Sequence, residues 1–205
     1  MFQPSKLAAV DGEEKLNEQE LVRAAKNGDK NAFKELIKKY EHQVAAIVIG
    51  MLGNCPEAED VGQESFIRLY QSLDKFRGEA SVGTYLTRIA INLSLNELKR
   101  RQRKRGRFFF RADEVMENIP DKNNRKQRKE LKDIVHIGIQ KLDPKYRTVV
   151  VLRLIDGYSM SETAQILKLP VGTVLSRLAR AQMKLKEILT PLYWDKNDTR
   201  GEGNG

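Results

Sequence analysis

Residues 158–185 carry the pattern that most restricts how this chain can fold, because they combine two helix starts with a short turn between them. Ser159 and Glu162 have the spacing of a capping box, in which each side chain bonds a free backbone N–H at a helix start. Pro170 fits the first turn of a second helix, where its missing N–H costs nothing. The spacing therefore predicts a helix-turn-helix with its turn at residues 168–169.

The second of these helices has two chemically different faces at about 100° per residue. One face is apolar and is expected to be core: Val171, Val174, Leu178, Ala181 and Leu185. The other face carries hydroxyl and cationic side chains: Thr173, Ser176, Arg177, Arg180 and Lys184. Such a helix can enter a major groove and touch bases and phosphates, so the pattern predicts a DNA-recognition helix. The alternative is an ordinary helical hairpin whose charged face is solvated.

Composition excludes several classes of protein. The chain has 205 residues, with 37 Lys and Arg against 28 Asp and Glu, and its formal charge of +9 favours a polyanionic partner. The longest apolar run, residues 44–52, is too short to span a bilayer, the N-terminus lacks a signal-peptide pattern, and a lone Cys55 excludes an intramolecular disulfide. No catalytic or metal-binding motif is present. We therefore expect a cytoplasmic protein without membrane insertion that is not an enzyme and uses no metal, cofactor or small-molecule substrate.

The order of periodic segments predicts an all-α protein, with two small helical domains joined by a flexible linker. We expect a mobile N-terminal segment at 1–17, a four-helix unit at 18–106, the linker at 107–130, the helix-turn-helix unit at 131–189 and a disordered tail at 190–205. Within the linker, Phe108-Phe109-Phe110 is anomalous, because three consecutive aromatic side chains are unusual in a flexible segment. We expect them either to dock on the first unit or to occupy a partner's groove.

Two charged segments of the four-helix unit are candidates for binding. The third helix, opened by Pro56, is acidic in an otherwise basic chain, and matching of the helix dipole explains its first turn better than it explains Asp60 and Glu64. The fourth helix ends in seven Lys or Arg side chains among residues 99–107, a density that favours contact with phosphate over a merely solvated surface.

Several short motifs occur in one order along the chain: Gly28-Asp29 with Ala32-Phe33, Ala58-Glu59-Asp60 with Gln63-Glu64-Ser65-Phe66, Phe76-Arg77-Gly78, Tyr85-Leu86-Thr87-Arg88-Ile89-Ala90 with Asn92, Leu142-Asp143-Pro144-Lys145-Tyr146-Arg147, and Pro170-Val171-Gly172-Thr173-Val174. In this order they resemble a bacterial sigma factor of the extracytoplasmic-function (ECF) group, over residues 20–189. In that family region two binds RNA polymerase and the minus-ten promoter element, and region four binds the minus-thirty-five element. The resemblance implies an ECF-type sigma factor that directs core RNA polymerase to specific promoters and assists promoter melting.

The resemblance also implies binding residues and partners. Core polymerase, through the clamp coiled coil of its largest subunit, is expected at Asp60, Gln63, Glu64 and Phe66, and its flap region is a further expected contact. Minus-ten DNA is expected at Phe76, Ser81, Tyr85, Arg88, Asn92, Asn96, Lys99, Arg100, Arg101 and Arg103. Minus-thirty-five DNA is expected at Thr173, Ser176, Arg177, Arg180 and Lys184. An anti-sigma factor is also implied, and it could hold the protein at the membrane.

The sequence departs from the family pattern at positions that bear on promoter specificity. The family commonly has tryptophan at the position of Tyr85 and a bulkier or more polar pair at Val82-Gly83. In the recognition helix, Leu175 stands at a position that is often basic, and Ala179 at one that is often aromatic or histidine. We therefore expect fewer side chains to reach minus-thirty-five DNA.

Two other functions are compatible with the residues alone. One is a helix-turn-helix repressor or activator that binds a palindromic duplex as a dimer, and the other is a basic RNA-binding or ribosome-associated protein. The length of the linker can be compared with the spacing of the two promoter elements. Its 24 residues reach about 80 Å when fully extended and about 27 Å on average as a relaxed coil. Promoter elements two helical turns apart lie about 70 Å from each other, so the linker must be nearly extended or the domains must cover part of the distance. We expect polymerase to hold the domains apart, and the free protein to be compact and to bind promoter DNA poorly.

Overall fold

The computed structural model describes residues 17–78, 80–107 and 124–198, and every regular element within them is helical. The α-helices are α1 Glu18–Lys26, α2 Lys30–Leu52, α3 Pro56–Ser72, α4 Val82–Arg107, α5 Asn124–Lys141, α6 Pro144–Val150, α7 Met160–Leu167 and α8 Val171–Asp198. A 3-10 turn, Leu73–Lys75, follows α3, and a π-helical segment, Val151–Ile155, continues α6. The expected all-α fold class is confirmed.

Helix α2 is the centre of the first unit and packs against α1, α3 and α4. Apolar side chains recur along it at three- and four-residue spacing, so it buries a broad stripe: Leu36, Tyr40, Val44, Ile47, Val48 and Met51. Its start is encoded locally, because the Asp29 side chain accepts hydrogen bonds from the first free N–H groups of the helix. The outer faces of α3 and α4 remain exposed and carry the candidate binding residues.

Glu18 joins three helices of the first unit. Its carboxylate accepts hydrogen bonds from Lys39 (2.8 Å), from the Tyr40 hydroxyl and from the Val82 N–H (3.2 Å). Burial alone would raise the pKa of the Glu18 carboxyl, but these hydrogen bonds outweigh burial and hold the pKa below its ordinary value. The ionised carboxylate is therefore the form that fastens α1 to α2 and to the start of α4.

The predicted helix-turn-helix is confirmed, except that Val171, which was expected in the core, is 50% exposed because it stands at the first residue of α8. Ser159 Oγ accepts from the Glu162 N–H at 3.2 Å, and the Glu162 carboxylate accepts from the Ser159 N–H at 2.8 Å, which is the expected capping box. Helix α7 ends at Leu167, and the next residue, Lys168, caps it with a left-handed backbone at φ 53°. Pro170 then precedes α8, and its carbonyl accepts from the Thr173 N–H at 2.9 Å.

The two units share one continuous hydrophobic core. Helix α2 contacts α5, α6 and the π-helical segment, and α4 contacts α6 and α7. The second unit also has a smaller core of its own, formed by Val149, Ala164, Val174 and Leu178. The described helices of the two units are thus packed together.

Three helix limits differ from the sequence-based expectation. Helix α5 begins at Asn124, inside the predicted linker, and α8 continues past Pro191 to Asp198, inside the predicted tail. Helix α4 begins at Val82, whereas the sequence predicts its start at about Thr84. Residues 125–130 are Arg, Lys, Gln and Glu, which form helix readily, so their polarity is a poor sign of a linker. The N-terminal segment 1–16, the linker segment 108–123 with its three phenylalanines, and the end of the tail at 199–205 lie outside the described residues.

Candidate functional site

The predicted polymerase-binding residues lie together on α3. Asp60 and Gln63 are exposed, and Glu64 is half-buried with its carboxylate accepting from Arg68 Nε at 2.8 Å. Their three- and four-residue spacing places these side chains on one helix face. Phe66 points elsewhere, because it is half-buried and lines a groove of about 640 Å³ between α2 and α3. Gln63 reaches the rim of the same groove, so an acidic face and an apolar groove adjoin.

An aromatic pair marks the start of α4. The rings of Phe76 and Tyr85 are 5.4 Å apart between centroids and tilted by 57°. Lys26 Nζ donates to the Phe76 carbonyl at 2.6 Å, and Ser81 Oγ accepts from the Thr84 N–H at 3.2 Å. The loop is therefore fixed at both ends, and three predicted minus-ten residues, Phe76, Ser81 and Tyr85, are brought together.

A polar stripe continues from this pair along α4. Arg88, Asn92, Asn96, Lys99 and Arg103 follow at three- or four-residue spacing, and all except Arg88 are exposed. Amide groups can read the edges of unpaired bases, and the cations beyond them can bind phosphates. The stripe thus presents amide side chains first and cationic side chains beyond them along α4.

Two arginines at the basic end of α4 are already paired within the protein. Arg100 bonds the Glu97 carboxylate at 2.6 Å, and this hydrogen bond helps to hold the pKa of Glu97 below its ordinary value. Arg101 donates to three groups where α2 meets α3: the Leu52 carbonyl (3.1 Å), Cys55 Sγ (3.0 Å) and the Glu57 carboxylate (3.2 Å). Lys99 and Arg103 are exposed, so they are better placed to contact phosphates than Arg101, which is half-buried and bonded within the protein. A role of Arg101 in DNA binding remains a prediction.

The predicted minus-thirty-five residues lie on the exposed side of α8. Ser176, Arg180 and Lys184 are exposed, whereas Thr173 and Arg177 are half-buried at its edge. Lys184 Nζ lies 5.9 Å from the Tyr146 ring centroid, near the basic edge of the helix. The cations therefore flank the helix along one side, where they can reach phosphates.

The outward side of α8 includes apolar residues. Leu175 is 58% exposed and Met183 is 64% exposed, and Gly172 and Ala179 are also exposed. At about 100° per residue from the fully buried Val174, Gly172, Ala179 and Met183 lie opposite the core, whereas Leu175 lies to one side of them. The sequence marked Leu175 and Ala179 as departures from the family pattern, but it did not indicate that Met183 is exposed.

Arg88 and its neighbour Thr87 contact the second unit, which the sequence did not indicate. Arg88 Nη2 donates to the Gln165 carbonyl in α7 at 3.2 Å, and Arg88 Nε is buried without a partner within the described residues. Thr87 is fully buried, and its hydroxyl lies 2.8 Å from the Tyr158 hydroxyl. Gln43 Nε2 donates to the same Tyr158 oxygen at 2.6 Å, so a polar cluster joins α2 and α4 to the second unit.

Comparisons with known proteins agree with this arrangement. Residues 36–104 match the family described as Sigma-70 region 2, and residues 138–185 match Sigma-70, region 4. The chain is 36% identical over 183 residues to the RNA polymerase sigma-H factor of Pseudomonas aeruginosa, covering 85% of this chain and 95% of that protein. It is 36% identical over 189 residues to the ECF RNA polymerase sigma-E factor of Salmonella typhimurium, covering 87% and 97% respectively.

A solved structure gives the same result for the fold. CnrH, in complex with the cytosolic domain of CnrY, is 28% identical and aligns with a TM-score of 0.62 over 84% of this chain and 96% of its own. Both matched family segments fall where the acidic face, the aromatic pair and the recognition helix lie. The chain belongs to the ECF group of sigma factors, which are not enzymes and which direct RNA polymerase to promoters.

Proposed function

We propose that the exposed face of Asp60, Gln63 and Glu64 on α3 is the principal docking surface for core polymerase, at the clamp coiled coil of the largest subunit. The observation that carries this proposal is an acidic helix face in a chain of net charge +9. Charge complementarity with a basic partner speeds association and fixes orientation. Phe66 adds an apolar contact through the adjoining groove, and the flap region of the polymerase is the proposed contact of the second unit.

Minus-ten DNA is proposed to bind along the start of α4. Tyr85 and Phe76 present aromatic faces on which an unstacked base of the non-template strand can stack, and each such stack contributes about 1–3 kcal/mol. Asn92 and Asn96 are exposed one and two turns beyond Arg88, where they can read base edges. Capture of unstacked bases offsets part of the cost of opening the duplex, which is how this surface assists melting.

Minus-thirty-five DNA is proposed to bind along α8. Thr173, Ser176, Arg177, Arg180 and Lys184 supply polar and phosphate contacts. Leu175 is 58% exposed on α8, where it can touch the C5-methyl group of a thymine in the major groove. We therefore expect a minus-thirty-five element in which at least one thymine is read by apolar contact.

We further propose that the chain acts in the cytoplasm and is held inactive by an anti-sigma partner. Among the described helices, none is long and apolar enough to cross a bilayer. The complex of CnrH with the cytosolic domain of CnrY shows a similar chain bound to a partner domain. By analogy, the proposed partner could anchor this chain at the membrane.

The docking proposal is tested by reversing charge on α3. Asp60→Lys together with Glu64→Lys should weaken binding to purified core polymerase by about 30-fold or more, since like charges placed together at an interface cost several kcal/mol. The matched control is Asp74→Lys together with Asp133→Lys, which changes net charge equally at exposed sites away from this face. Unchanged core affinity of the α3 variant, with normal helicity by circular dichroism, would contradict the assignment.

A further inference from the structure

Three cationic side chains from two helices meet around one tyrosine where α6 packs against α8. Lys145 Nζ lies 4.9 Å from the centroid of the Tyr146 ring, and Lys184 Nζ lies 5.9 Å from the same centroid. The Arg180 guanidinium interacts with the ring hydroxyl, and this interaction lowers the pKa of Tyr146 more than burial raises it. Lys145, Arg180 and Lys184 thus form a cationic cluster on a single aromatic ring.

This cationic cluster has no acidic partner within the described ranges. None of its three members forms an ion pair there, and Asp143, the acid nearest to Lys145 in sequence, is exposed. Arg180 and Lys184 are four residues apart, a spacing at which like charges destabilise a helix. Attraction to the Tyr146 ring offsets part of this repulsion, but it neutralises no charge. The cluster would therefore gain from binding an anion.

The cationic cluster continues the DNA-binding side of α8. Thr173, Arg177, Arg180 and Lys184 fall within about 60° of one another around the helix at about 100° per residue. Lys145 extends this edge onto a second helix, because it stands in the first turn of α6. Lys184 follows Ser176 by about 12 Å along the helix axis. The cluster thus lies beyond the residues proposed to read bases, where a helix that leaves the groove meets the DNA backbone.

A backbone phosphate is the anion that these side chains fit best. Lysine ammonium groups bind phosphate oxygens as mobile point charges, and an arginine fork can bind two oxygens at once. All three cations are exposed, whereas Tyr146 is buried beneath them. They therefore form an open positive surface, which a phosphate presented on the outside of a duplex can reach.

We propose that Lys145, Arg180 and Lys184 bind one DNA backbone phosphate that flanks the minus-thirty-five element. This inference rests on the proposed function of α8 and adds two residues to it, Lys145 as a phosphate contact and Tyr146 as a positioning residue. The ring of Tyr146 holds both ammonium groups at the site. Binding there reads no base, but it fixes the orientation of the duplex against the recognition helix.

Removal of the Lys145 charge tests the phosphate site in the holoenzyme, assembled from core polymerase and this chain. The probe is a duplex that spans the minus-thirty-five region of a promoter defined by its mapped transcription start. Each phosphate contact contributes about 0.9 to the steepness with which log affinity falls with log salt concentration. Lys145→Ala should therefore reduce this steepness by about 0.9 and lower affinity about fivefold at about 0.15 M salt.

The matched control is Lys132→Ala, which removes the same charge from an exposed position of α5 outside the cluster. It should change neither the affinity nor its salt dependence. Equal effects of the two variants, or no effect of Lys145→Ala, would overturn the phosphate site.

Neutral methylphosphonate linkages identify the phosphate. Backbone phosphates flanking the minus-thirty-five element are neutralised one at a time, and binding of the native chain is compared with that of Lys145→Ala. At one linkage the native chain should lose about threefold more affinity than the variant, because only the native chain has the Lys145 contact to lose. If every linkage weakens the two proteins equally, Lys145 contacts no DNA phosphate and the proposal is wrong.

The positioning role of Tyr146 is tested without any change of charge. Tyr146→Phe keeps a ring on which both ammonium groups can lie, so affinity should stay within about twofold of native. Tyr146→Leu keeps an apolar side chain but removes the ring, so affinity should fall by about threefold or more. Equal affinities of the two variants, both helical by circular dichroism, would contradict this role. A native holoenzyme that binds the promoter duplex no better than a scrambled duplex would instead overturn the proposed function of α8.

Discussion

Replacement of Arg147 by methionine is expected to destabilise the fold strongly. The Arg147 guanidinium donates to three main-chain carbonyls, those of Met51 (2.6 Å), Leu142 (3.0 Å) and Gln140. Each buried acceptor left unpaired costs about 1–3 kcal/mol, and relief of the desolvated charge returns part of that sum. We therefore expect a loss of about 3–5 kcal/mol, a large share of the roughly 5–15 kcal/mol by which native domains are stable.

Urea unfolding followed by far-ultraviolet circular dichroism measures this loss. With a slope of about 2 kcal/mol per molar urea, the midpoint should fall by roughly 1.5–2.5 M. The matched control is Arg100→Met, because the Arg100 side chain is 53% exposed and bonds only Glu97 among the described residues, so this variant should unfold at nearly the native midpoint. A loss below about 1 kcal/mol for Arg147→Met would refute the view that these carbonyls depend on the guanidinium.

Three further predictions concern separate parts of the molecule. Ser159→Ala removes the cap of α7 and should cost about 1 kcal/mol in urea unfolding, whereas Ser159→Thr should cost little. Because the pKa of Glu18 is lowered in the folded chain, its ionised carboxylate stabilises the fold above pH 4.5, and this stabilisation is lost as the pH falls through the lowered pKa. In Glu18→Gln the free energy of unfolding should therefore fall less steeply below pH 4.5 than in the native chain. An equal fall in the two proteins would contradict this role of Glu18. Replacing thymine by uracil in the minus-thirty-five duplex removes one methyl group, whose burial is worth about 0.8 kcal/mol. This replacement should weaken binding of the native chain about fourfold, as measured by fluorescence anisotropy, and should leave binding of Leu175→Ala unchanged.

Local chemistry made the helix-turn-helix predictable. A capping box at Ser159 and Glu162 and a proline at 170 act within a few residues, and the structure has the helix starts they specify. The ordered motifs likewise predicted the family, which the comparisons confirmed. Composition and spacing alone did not decide between a sigma factor and a dimeric repressor or RNA-binding protein, because all three share a basic helical surface.

Contacts between distant segments were not predictable. Arg147 and Gln140 look like surface side chains in the sequence, yet they bond the carboxyl end of α2, which lies 90 to 96 positions away. Gly50 lies within an apolar helix, and the reason why this position requires glycine is visible only in the structure, where Val151 packs against it. Arg101 is one cation among many in sequence, and only the packing of α4 against α2 distinguishes it.

The most direct test of the central claim is to map transcription starts on genomic DNA fragments with core polymerase, with and without this protein. We expect new starts that depend on the protein and lie downstream of a shared bipartite, non-palindromic sequence. Starts identical to those of core polymerase alone would contradict it, as would tight binding of a palindromic duplex by the protein without polymerase.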